Sequence, residues 1–278
     1  IFADVRSIDK ELLSGVDAVV YLAAISNDPM GASFEAVTLD VNHRAAITLA
    51  EQVRAAGAKS FVFASSCSVY GFAEGGAKTE ESEVNPLTAY AKSKVGAEKD
   101  LSTLASQNFA VTCLRFATAC GMSERLRLDL VLNDFVASAV TAKKITILSD
   151  GTPWRPLIHI RDMARAIDWG VQRKSADGGA FLSVNVGSDG WNYQVRDLAT
   201  AVSKAIPNVE ISINQNAQPD KRSYRVSFEK FRRLAPHYQP EVDLDAAIVD
   251  LKTGLEKMGF ADREFRNSHL IRLNMLKD

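Results

Sequence analysis

The sequence has few cysteines, no long apolar run and no marked excess of either charge. The three cysteines, Cys67, Cys113 and Cys120, lack metal-ligand spacing and form no even disulfide set, so we expect a reducing, cytoplasmic compartment and no metal. No apolar stretch reaches about eighteen residues, and the first residues carry no signal pattern. The formal net charge is -1, which gives no general attraction to polyanions. We therefore expect neither nucleic acid nor a membrane among the partners.

What the sequence does have is a regular alternation of strand-like and helix-like segments. The chain has 278 residues, 46% of them hydrophobic, and can bury a substantial core. Buried strands are predicted at residues 17–24, 60–66 and 110–116, and helices at residues 33–56 and 88–106, the second capped by Thr88. Strands separated by helices of this length predict an α/β fold with a parallel, doubly wound sheet.

The second half of the chain has a different character. After Gly121, a basic and polar stretch leads into a helix predicted at residues 129–142. Short strands are expected near Ile145 and Leu157, further strands at residues 180–186 and 209–213, and a helix at residues 244–258. We expect a smaller domain over residues 121–278, interleaved with the end of the first sheet through residues from about 150 to 187.

A tyrosine and a lysine stand one turn apart in the helix predicted at residues 88–106. Tyr90 and Lys94 would lie on one helical face. Free tyrosine, with a pKa of about 10, is a poor base at neutral pH; lowering that pKa by roughly three units takes about 4 kcal/mol. A neighbouring ammonium, a cationic cofactor ring and exclusion of water can supply this together. The same spacing also occurs on ordinary solvated helices. The hydroxyl residues at the end of the strand predicted at residues 60–66 nevertheless favour an acid/base pair, because catalytic groups of open α/β sheets gather at such strand ends.

Several short segments, taken together, resemble one enzyme family. They are Ser65-Ser66-x-x-Val69-Tyr70-Gly71, Tyr90-x-x-x-Lys94, Leu114-Arg115-Phe116, Asn42, and residues 17–24 and 151–160. The set resembles the extended short-chain dehydrogenases/reductases, specifically the NAD-dependent nucleotide-sugar epimerase/dehydratase group, through nearly the whole chain. The resemblance implies a Rossmann-type NAD-binding domain at residues 1–120 and a mainly substrate-binding domain at residues 121–278.

The glycine-rich turn of that family is absent from the sequence. Members hold the cofactor pyrophosphate at the helix that follows this turn, yet no Gly-x-Gly-x-x-Gly or Gly-x-x-Gly-x-x-Gly occurs here. By resemblance, the chain starts at the third strand of the family's sheet and lacks the first βαβ unit, with Asp4 and Val5 at the adenine contact. We expect an incomplete copy of a longer protein; the alternative is a molecule without its main phosphate cradle.

The resemblance also implies catalytic and cofactor contacts. Tyr90 would take the proton of a sugar hydroxyl, Lys94 would lower the pKa of that phenol and contact the cofactor ribose, and Ser66 would share the proton. The alternative for Ser65 and Ser66 is that both merely satisfy backbone groups at a strand end. The implied cofactor is NAD, with NADP left open, and its expected contacts are Asp4, Val5, Leu22, Ala23, Ala24, Asn42, Ser65, Tyr90, Lys94 and Phe116.

The two residues after Ser66 bear on the type of reaction. Family 4,6-dehydratases place Asp-Glu there, because water elimination needs an acid and a base, whereas this chain has Cys67 and Ser68. Epimerisation needs only Ser66, Tyr90 and Lys94 and is therefore expected. Cys67 is one position away from the cysteine that some epimerases use, which favours a structural role. The alternatives are a decarboxylase or reductase of the family and, in another class, a non-catalytic NAD(P)-binding regulatory protein or an inactive fragment.

Candidate contacts to a nucleotide-sugar substrate come from several segments. Arginine forks suit a diphosphate, and the resemblance implies such roles for Arg155, for Arg222 or Arg225, and for Arg127. Thr118 stands near the position where the family usually has an asparagine that contacts the substrate. Ser26 and Asn27 would line the sugar pocket together with Ser66. Ser26 and Asn27 are equally consistent with an ordinary turn. His159 is expected to be structural. The family also implies a homodimer through the helices at residues 35–54 and 90–104.

Overall fold

Strands and helices alternate along the part of the chain that the structure describes. The structure is a computed structural model and describes residues 1–26, 30, 33–72, 75–214, 217 and 223–276. Its strands are Ala18–Tyr21 (β1), Ser60–Ser66 (β2), Ala110–Phe116 (β3), Thr118–Cys120 (β4), Lys144–Ile147 (β5), Trp154–His159 (β6), Phe181–Val186 (β7), Asn192–Gln194 (β8) and Glu210–Ile213 (β9). Its α-helices are Glu35–Leu39 (α1), Ala45–Ala55 (α2), Ala89–Leu104 (α3), Val131–Ala142 (α4), Ile160–Gln172 (α5), Val195–Ala205 (α6), Glu229–Leu234 (α7) and Leu244–Lys257 (α8).

A four-stranded parallel sheet organises the first half of the chain. Its order is β1-β2-β3-β7, and each neighbouring pair is parallel. The register places Ser66, the last residue of β2, beside Phe116, the last residue of β3. The carboxyl ends of the strands therefore meet at one edge, which is where open α/β sheets bind their ligands.

Alternate side chains of the sheet enter two separate apolar cores. Phe61 and Phe63 of β2 pack in the same cluster as Leu101 of α3, on one face of the sheet. Val62 packs with Trp169 of α5 in a second cluster, on the other face. This division follows from the two-residue period of a strand. Because helices cover both faces, the predicted doubly wound α/β sheet is confirmed.

A single turn of π-helix joins α1 to α2. It spans Asp40–Arg44 and contains the buried Asn42. The three pieces together make the helix that the sequence predicts at residues 33–56. Single π-turns inside α-helices often mark functional positions, and this one turns the Asn42 amide toward the loop that follows β1.

The second half of the chain joins the carboxyl edge of the first sheet. The chain leaves β3 at that edge, enters β4 almost at once, and returns through β6 and α5 to β7, which pairs with β3. Strands β4, β6 and β8 form a three-stranded sheet, and β5 pairs with β9. Side chains from α4, α6 and α8, including Leu132, Leu198 and Leu251, form a third core beside them.

Most predicted elements are present, and three α-helices, α5, α6 and α7, are additional to those predicted. Strands β2 and β3 have the predicted bounds, and Thr88 caps α3 by accepting a hydrogen bond from the Ala91 N–H. Strand β1 is shorter than predicted, because the residues after Tyr21 leave the ladder. In α5 and α6, charged residues alternate with the apolar residues of the buried face, so neither helix contains a continuous apolar segment that would reveal it in the sequence. No helix within the described ranges has both the length and the apolar character needed to cross a membrane.

Candidate active site

Tyr90 and Lys94 share one face of α3, beside the carboxyl end of β2. The Lys94 side chain is 2% exposed, and its Nζ donates a hydrogen bond of 2.6 Å to the carbonyl oxygen of Ala64. The same nitrogen lies 4.5 Å from the centre of the Phe63 ring and 5.6 Å from the centre of the Tyr90 ring. Tyr90 itself is half-buried. The structure thus brings the lysine nitrogen against the phenol ring, as the sequence spacing predicts.

Burial brings the titration of Lys94 close to neutral pH. Loss of solvent lowers the pKa of Lys94 to about 8, while the nearby Glu98 carboxylate acts to raise it. At pH 7, one unit below that pKa, roughly nine in ten of these amines still carry a proton. An ammonium group is therefore available beside Tyr90, where it favours the phenolate over the phenol.

The two serines at the end of β2 face opposite sides of the sheet. Ser66 is half-buried, and its Oγ accepts a hydrogen bond of 3.1 Å from the Ser68 N–H, which starts a short 3₁₀ turn. The Ser65 hydroxyl donates instead to the buried Glu98 carboxylate. The alternation of a strand explains this difference. A cofactor contact from Ser65 would have to come from its backbone, whereas the Ser66 hydroxyl is at the strand end and free to donate its proton.

A buried ion pair supports the floor of this site. The carboxylate of Glu98, one turn after Lys94 on α3, accepts hydrogen bonds of 3.0 Å from Nε and 2.7 Å from Nη2 of Arg115. Arg115 Nη1 donates to the Tyr70 hydroxyl at 3.0 Å, and that hydroxyl lies 2.7 Å from Asn185 Oδ1 on β7. Burial raises the pKa of Tyr70. Sequence reasoning missed Glu98; its one signal is a charged residue on the helical face that also carries Lys94.

Asn42 connects the loop after β1 to the turn of α3 that carries Tyr90. Its Oδ1 accepts a hydrogen bond of 2.8 Å from the Ile25 N–H, and its Nδ2 donates to the Ile25 carbonyl at 2.9 Å and to Ser93 Oγ at 3.2 Å. The Ser93 hydroxyl donates in turn to the Tyr90 carbonyl at 2.7 Å. Both amide protons of Asn42 are used in these contacts. The residue therefore holds two walls of the site in register.

The other candidate cofactor contacts lie around β1, β3 and the first residues. Leu22 is 59% exposed directly after β1, and Ala23 and Ala24 beside it are half-buried. Phe116 is buried in the core at the end of β3. Asp4 is exposed, caps the 3₁₀ turn of Val5–Ser7, and pairs with Arg6, whose hydrogen bonds lower the pKa of Asp4 to about 2.

Arg127 and Ser26, two of the candidate substrate residues, are in direct contact. Nη1 of Arg127 donates a hydrogen bond of 2.9 Å to Ser26 Oγ, which joins the second half of the chain to the loop after β1. The same guanidinium donates to both carboxylate oxygens of Asp129. Thr118 is half-buried at the start of β4.

Arg155 and Arg225 form a second group of candidate substrate residues, around Trp154. Arg155 Nη1 donates to the Trp154 carbonyl at 2.9 Å, and the guanidinium carbon of Arg225 lies 5.3 Å from the centre of a Trp154 ring. The remaining candidates, Asn27 and Arg222, fall outside the residues that the structure describes.

Cys67 and His159 are packed into the interior. Cys67 is 1% exposed, its Sγ donates to the Arg115 carbonyl, and burial raises the pKa of its thiol. His159 is 1% exposed; its Nδ1 accepts from the Arg161 N–H and its Nε2 lies 3.3 Å from Oδ2 of Asp250. Both placements agree with the structural roles expected for them.

Sequence comparison assigns the chain to a family. The model of the family described as "NAD dependent epimerase/dehydratase family" matches residues 2–187. The chain belongs to that family.

Curated relatives within the family carry several activities. The chain is 33% identical to a Bacillus subtilis protein named as an uncharacterized UDP-glucose epimerase, YtcB. The match extends over 160 residues, which are 56% of this chain and 49% of that protein. It is 28% identical over 212 residues to a UDP-glucose 4-epimerase of Corynebacterium glutamicum, covering 70% of this chain and 63% of that protein. It is 29% identical over 183 residues to a dTDP-glucose 4,6-dehydratase of Streptomyces griseus, covering 63% and 55%. The chain thus spans about half to two thirds of the length of these relatives.

Solved structures share the fold. A structure of MoeE5 in complex with UDP-glucose and NAD superposes with a TM-score of 0.81 at 21% identity, covering 93% of this chain and 85% of that one. The UDP-glucose-4-epimerase of Stenotrophomonas maltophila superposes with a TM-score of 0.78 at 21% identity, covering 94% and 83%. At these identities the likeness establishes the Rossmann-type α/β fold, which agrees with the sheet described above.

Proposed function

We propose that the protein is an NAD-dependent nucleotide-sugar epimerase. The observation that carries this proposal is the position of Lys94, buried against both the end of β2 and the Tyr90 ring, with Ser66 ending the same strand. This arrangement suits reversible proton transfer with a sugar hydroxyl at the edge where open α/β sheets bind ligands. The UDP-glucose 4-epimerases among the curated relatives support the choice of reaction.

The residues at the ends of β1 and β2 fit the nicotinamide half of NAD. Leu22 is an exposed apolar side chain after β1, suited to a flat ring. The Lys94 ammonium, which donates one hydrogen bond to the Ala64 carbonyl, would donate others to ribose hydroxyls. Solved neighbours of the same fold are complexes with NAD. NAD would supply a reversible acceptor for the hydrogen of the sugar carbon. The other proposed cofactor contacts are Asp4, Val5, Ala23, Ala24, Phe116 and the backbone of Ser65. Asn42, expected as a contact from the sequence, is fully buried and bonded within the protein, so we propose that it positions the loop after β1.

Tyr90, Lys94 and Ser66 divide the proton transfer between them. Tyr90, as phenolate, would take the proton of the sugar hydroxyl during oxidation and return it afterwards. Lys94 stabilises that phenolate by charge. The Ser66 hydroxyl, held at the strand end by its contact with the Ser68 N–H, would hydrogen-bond the same sugar oxygen. The floor formed by Glu98 and Arg115 fixes the helix and the strands against each other.

The arginine group around Trp154 is proposed to hold the diphosphate. Arg155 and Arg225 both contact Trp154, one at its carbonyl and the other at its ring, and their planar donor forks suit phosphate oxygens. Ser26 and Thr118 lie at the carboxyl edge and would contact the sugar. Cys67 and Ser68 supply no second carboxyl pair, which favours epimerisation over dehydration.

The proposal includes the assembly and the compartment. A homodimer would form through the helices at residues 35–54 and 90–104, where Val37 is 41% exposed. A reducing cytoplasm fits the three buried free cysteines.

Product analysis with the full-length protein tests the proposal. Incubation with NAD and a panel of nucleotide sugars should yield the epimer of one of them by chromatography, without net NADH formation. Lys94→Met should lose most of this activity, whereas Lys92→Met, on the exposed face of the same helix, should retain it. Release of carbon dioxide would indicate a decarboxylase, and net consumption of reduced cofactor a reductase. Recovery of unchanged substrate across the whole panel would contradict the epimerase, the decarboxylase and the reductase activities, and would favour a regulatory NAD-binding protein.

A further inference from the structure

The residues around Arg225 have the burial pattern of a strand. Tyr224, Val226 and Phe228 are at most 8% exposed, whereas Arg225, between the first two, is exposed. A two-residue period of this kind turns alternate side chains to opposite sides. The Arg225 segment, defined as residues 224–228, is therefore held by its buried side chains and presents Arg225 outward.

Neighbours on both sides hydrogen-bond the backbone of the Arg225 segment. On one side, the Lys78 N–H donates to the Arg225 carbonyl at 2.8 Å, and the Lys78 carbonyl accepts from the Ser227 N–H at 2.9 Å. On the other side, Oδ1 of Asn192 accepts from the Val226 N–H at 2.8 Å, and Nδ2 donates to the Val226 carbonyl at 2.9 Å. Buried backbone groups need such partners. The side-chain amide of Asn192 therefore takes the place of a neighbouring strand.

Asn192 is itself fixed in position and orientation. It is the first residue of β8 and pairs with Pro156 of β6, while Gln194 pairs with Trp154. This register puts the side chains of Asn192 and Trp154 on one face of the sheet. The Asn192 Nδ2 also donates to the Asp189 carbonyl at 3.1 Å, so a flipped amide would lose all of its contacts.

Trp154 is the residue that both arginines proposed for the diphosphate contact. The guanidinium carbon of Arg225 lies 5.3 Å from the centre of a Trp154 ring, and Nη1 of Arg155 donates to the Trp154 carbonyl at 2.9 Å. Arg155 is on β6, and the neighbouring strand β8 carries Asn192. The Asn192 amide thus joins the strand pair that carries Arg155 to the backbone next to Arg225.

We propose that Asn192 is a positioning residue for nucleotide binding, which holds Arg225 on Trp154 so that both arginines reach one diphosphate. This inference rests on the proposed function. A guanidinium fork makes two parallel hydrogen bonds to a phosphate only in a fixed orientation, so displacement of its backbone would lower the affinity. Asn192 acts on the ligand through Val226 and Arg225 and does not itself contact the ligand.

Calorimetric titration of the full-length protein, with NAD present, tests this role. UDP, dTDP and GDP are the probes, and the nucleotide that the wild type binds most tightly is used for the variants. Asn192→Ala should raise its Kd at least about fivefold, through a weakened charge-assisted hydrogen bond, while the Kd for NAD changes less than about twofold. Asn108→Ala, at an exposed position in the turn before β3, is the matched control and should change neither.

A second substitution shows whether Asn192 acts through Arg225. Arg225→Gln should weaken nucleotide binding at least as much, and adding Asn192→Ala to it should cause no further loss. Asn192→Asp keeps the volume and Oδ1 but has no proton for the Val226 carbonyl, and it should weaken binding in the same direction. Thermal melts of every variant establish that it is folded at the temperature of the titration.

Three outcomes would overturn the assignment. They are a lower melting temperature of both Asn192 variants with an unchanged nucleotide Kd, a full further loss when Asn192→Ala is added to Arg225→Gln, and no binding of any probe by the wild type. Because binding is measured without turnover, the expected change in Kd with no epimer formed would reject the proposed reaction and support the role of Asn192. Epimerisation with an unchanged KM in Asn192→Ala would do the reverse.

Discussion

Replacing Glu98 with glutamine is expected to lower the free energy of unfolding by about 3–5 kcal/mol, the cost of breaking a buried ion pair by removing one partner. Glu98 is 6% exposed and Arg115 is 7% exposed. One carboxylate oxygen accepts from Ser65 and Arg115, and the other from Arg115 and Ser183. Glutamine would place an amide NH₂ group against these donors in either orientation. It would also leave the arginine charge buried without its counterion.

Urea unfolding monitored by far-UV circular dichroism measures this loss. The midpoint should fall while the slope of free energy against urea stays constant, because the surface exposed on unfolding is unchanged. Glu256→Gln is the surface control, since Glu256 is exposed and its oxygen lies 3.8 Å from Lys252 Nζ; it should cost less than about 0.5 kcal/mol.

A double replacement distinguishes the ion pair from simple packing. Glu98→Leu together with Arg115→Met removes both charges and should be more stable than either single variant, because no uncompensated charge remains. A cost below about 1 kcal/mol for Glu98→Gln would refute the reasoning, as would additive costs in the double variant. Either result would mean that the Glu98–Arg115 ion pair contributes little to the stability of the folded protein.

Two further predictions concern Lys94 and Gly121. The pKa of Lys94 in the folded protein is about 8, below its ordinary value of 10.5. Between these two pH values the unfolded chain binds more protons than the folded one, so the stability of the wild type relative to Lys94→Met should rise from pH 8 to 10.5. Urea titrations at several pH values measure this difference, and a difference that does not change with pH would contradict a buried amine. Gly121→Ala should destabilise by at least about 1–2 kcal/mol, because Gly121 has a φ of +111° and an added Cβ would stand 2.4 Å from His159 Nε2. Gly76→Ala, with nothing within 4 Å of the added atom, should be nearly neutral. Thermal melts followed by circular dichroism compare the two variants with the wild type, and equal midpoints for both would contradict the argument.

The central sheet could be predicted because its signals are local. Continuous apolar segments bounded by turn residues gave β2 and β3 at their observed bounds. The pairing of β7 with β3 depends on residues that are distant in sequence, and its strand was predicted without its partner. Helix α5 buries Ala166 and Trp169 between charged residues, so only a test at a period of 3.6 residues, rather than an apolar count, would have detected it.

The candidate site, like the fold, could be predicted where its residues are close in sequence and not where they are distant. Tyr90 and Lys94 share one helix, so their spacing alone predicts that they meet. Arg127 and Ser26 are 101 residues apart in the sequence, and only the fold brings them into contact. Glu98 could be placed on the face of Lys94 from the same periodicity, but its partner Arg115 comes from β3 and its hydroxyl donors from β2 and β7. A linear sequence contains no signal for such a convergence.

The buried pair beneath the site also has a consequence for its chemistry. Burial alone pulls Lys94 toward the neutral amine, and Glu98 opposes this through its charge. Arg115 is bound to the same carboxylate and holds it on the face of α3 that carries Lys94. Glu98, held in place by Arg115, therefore contributes to the site as well as to stability, because its carboxylate is one of the groups that raise the pKa of Lys94 against the effect of burial. The protonated amine is the form that a tyrosine base requires from its neighbour.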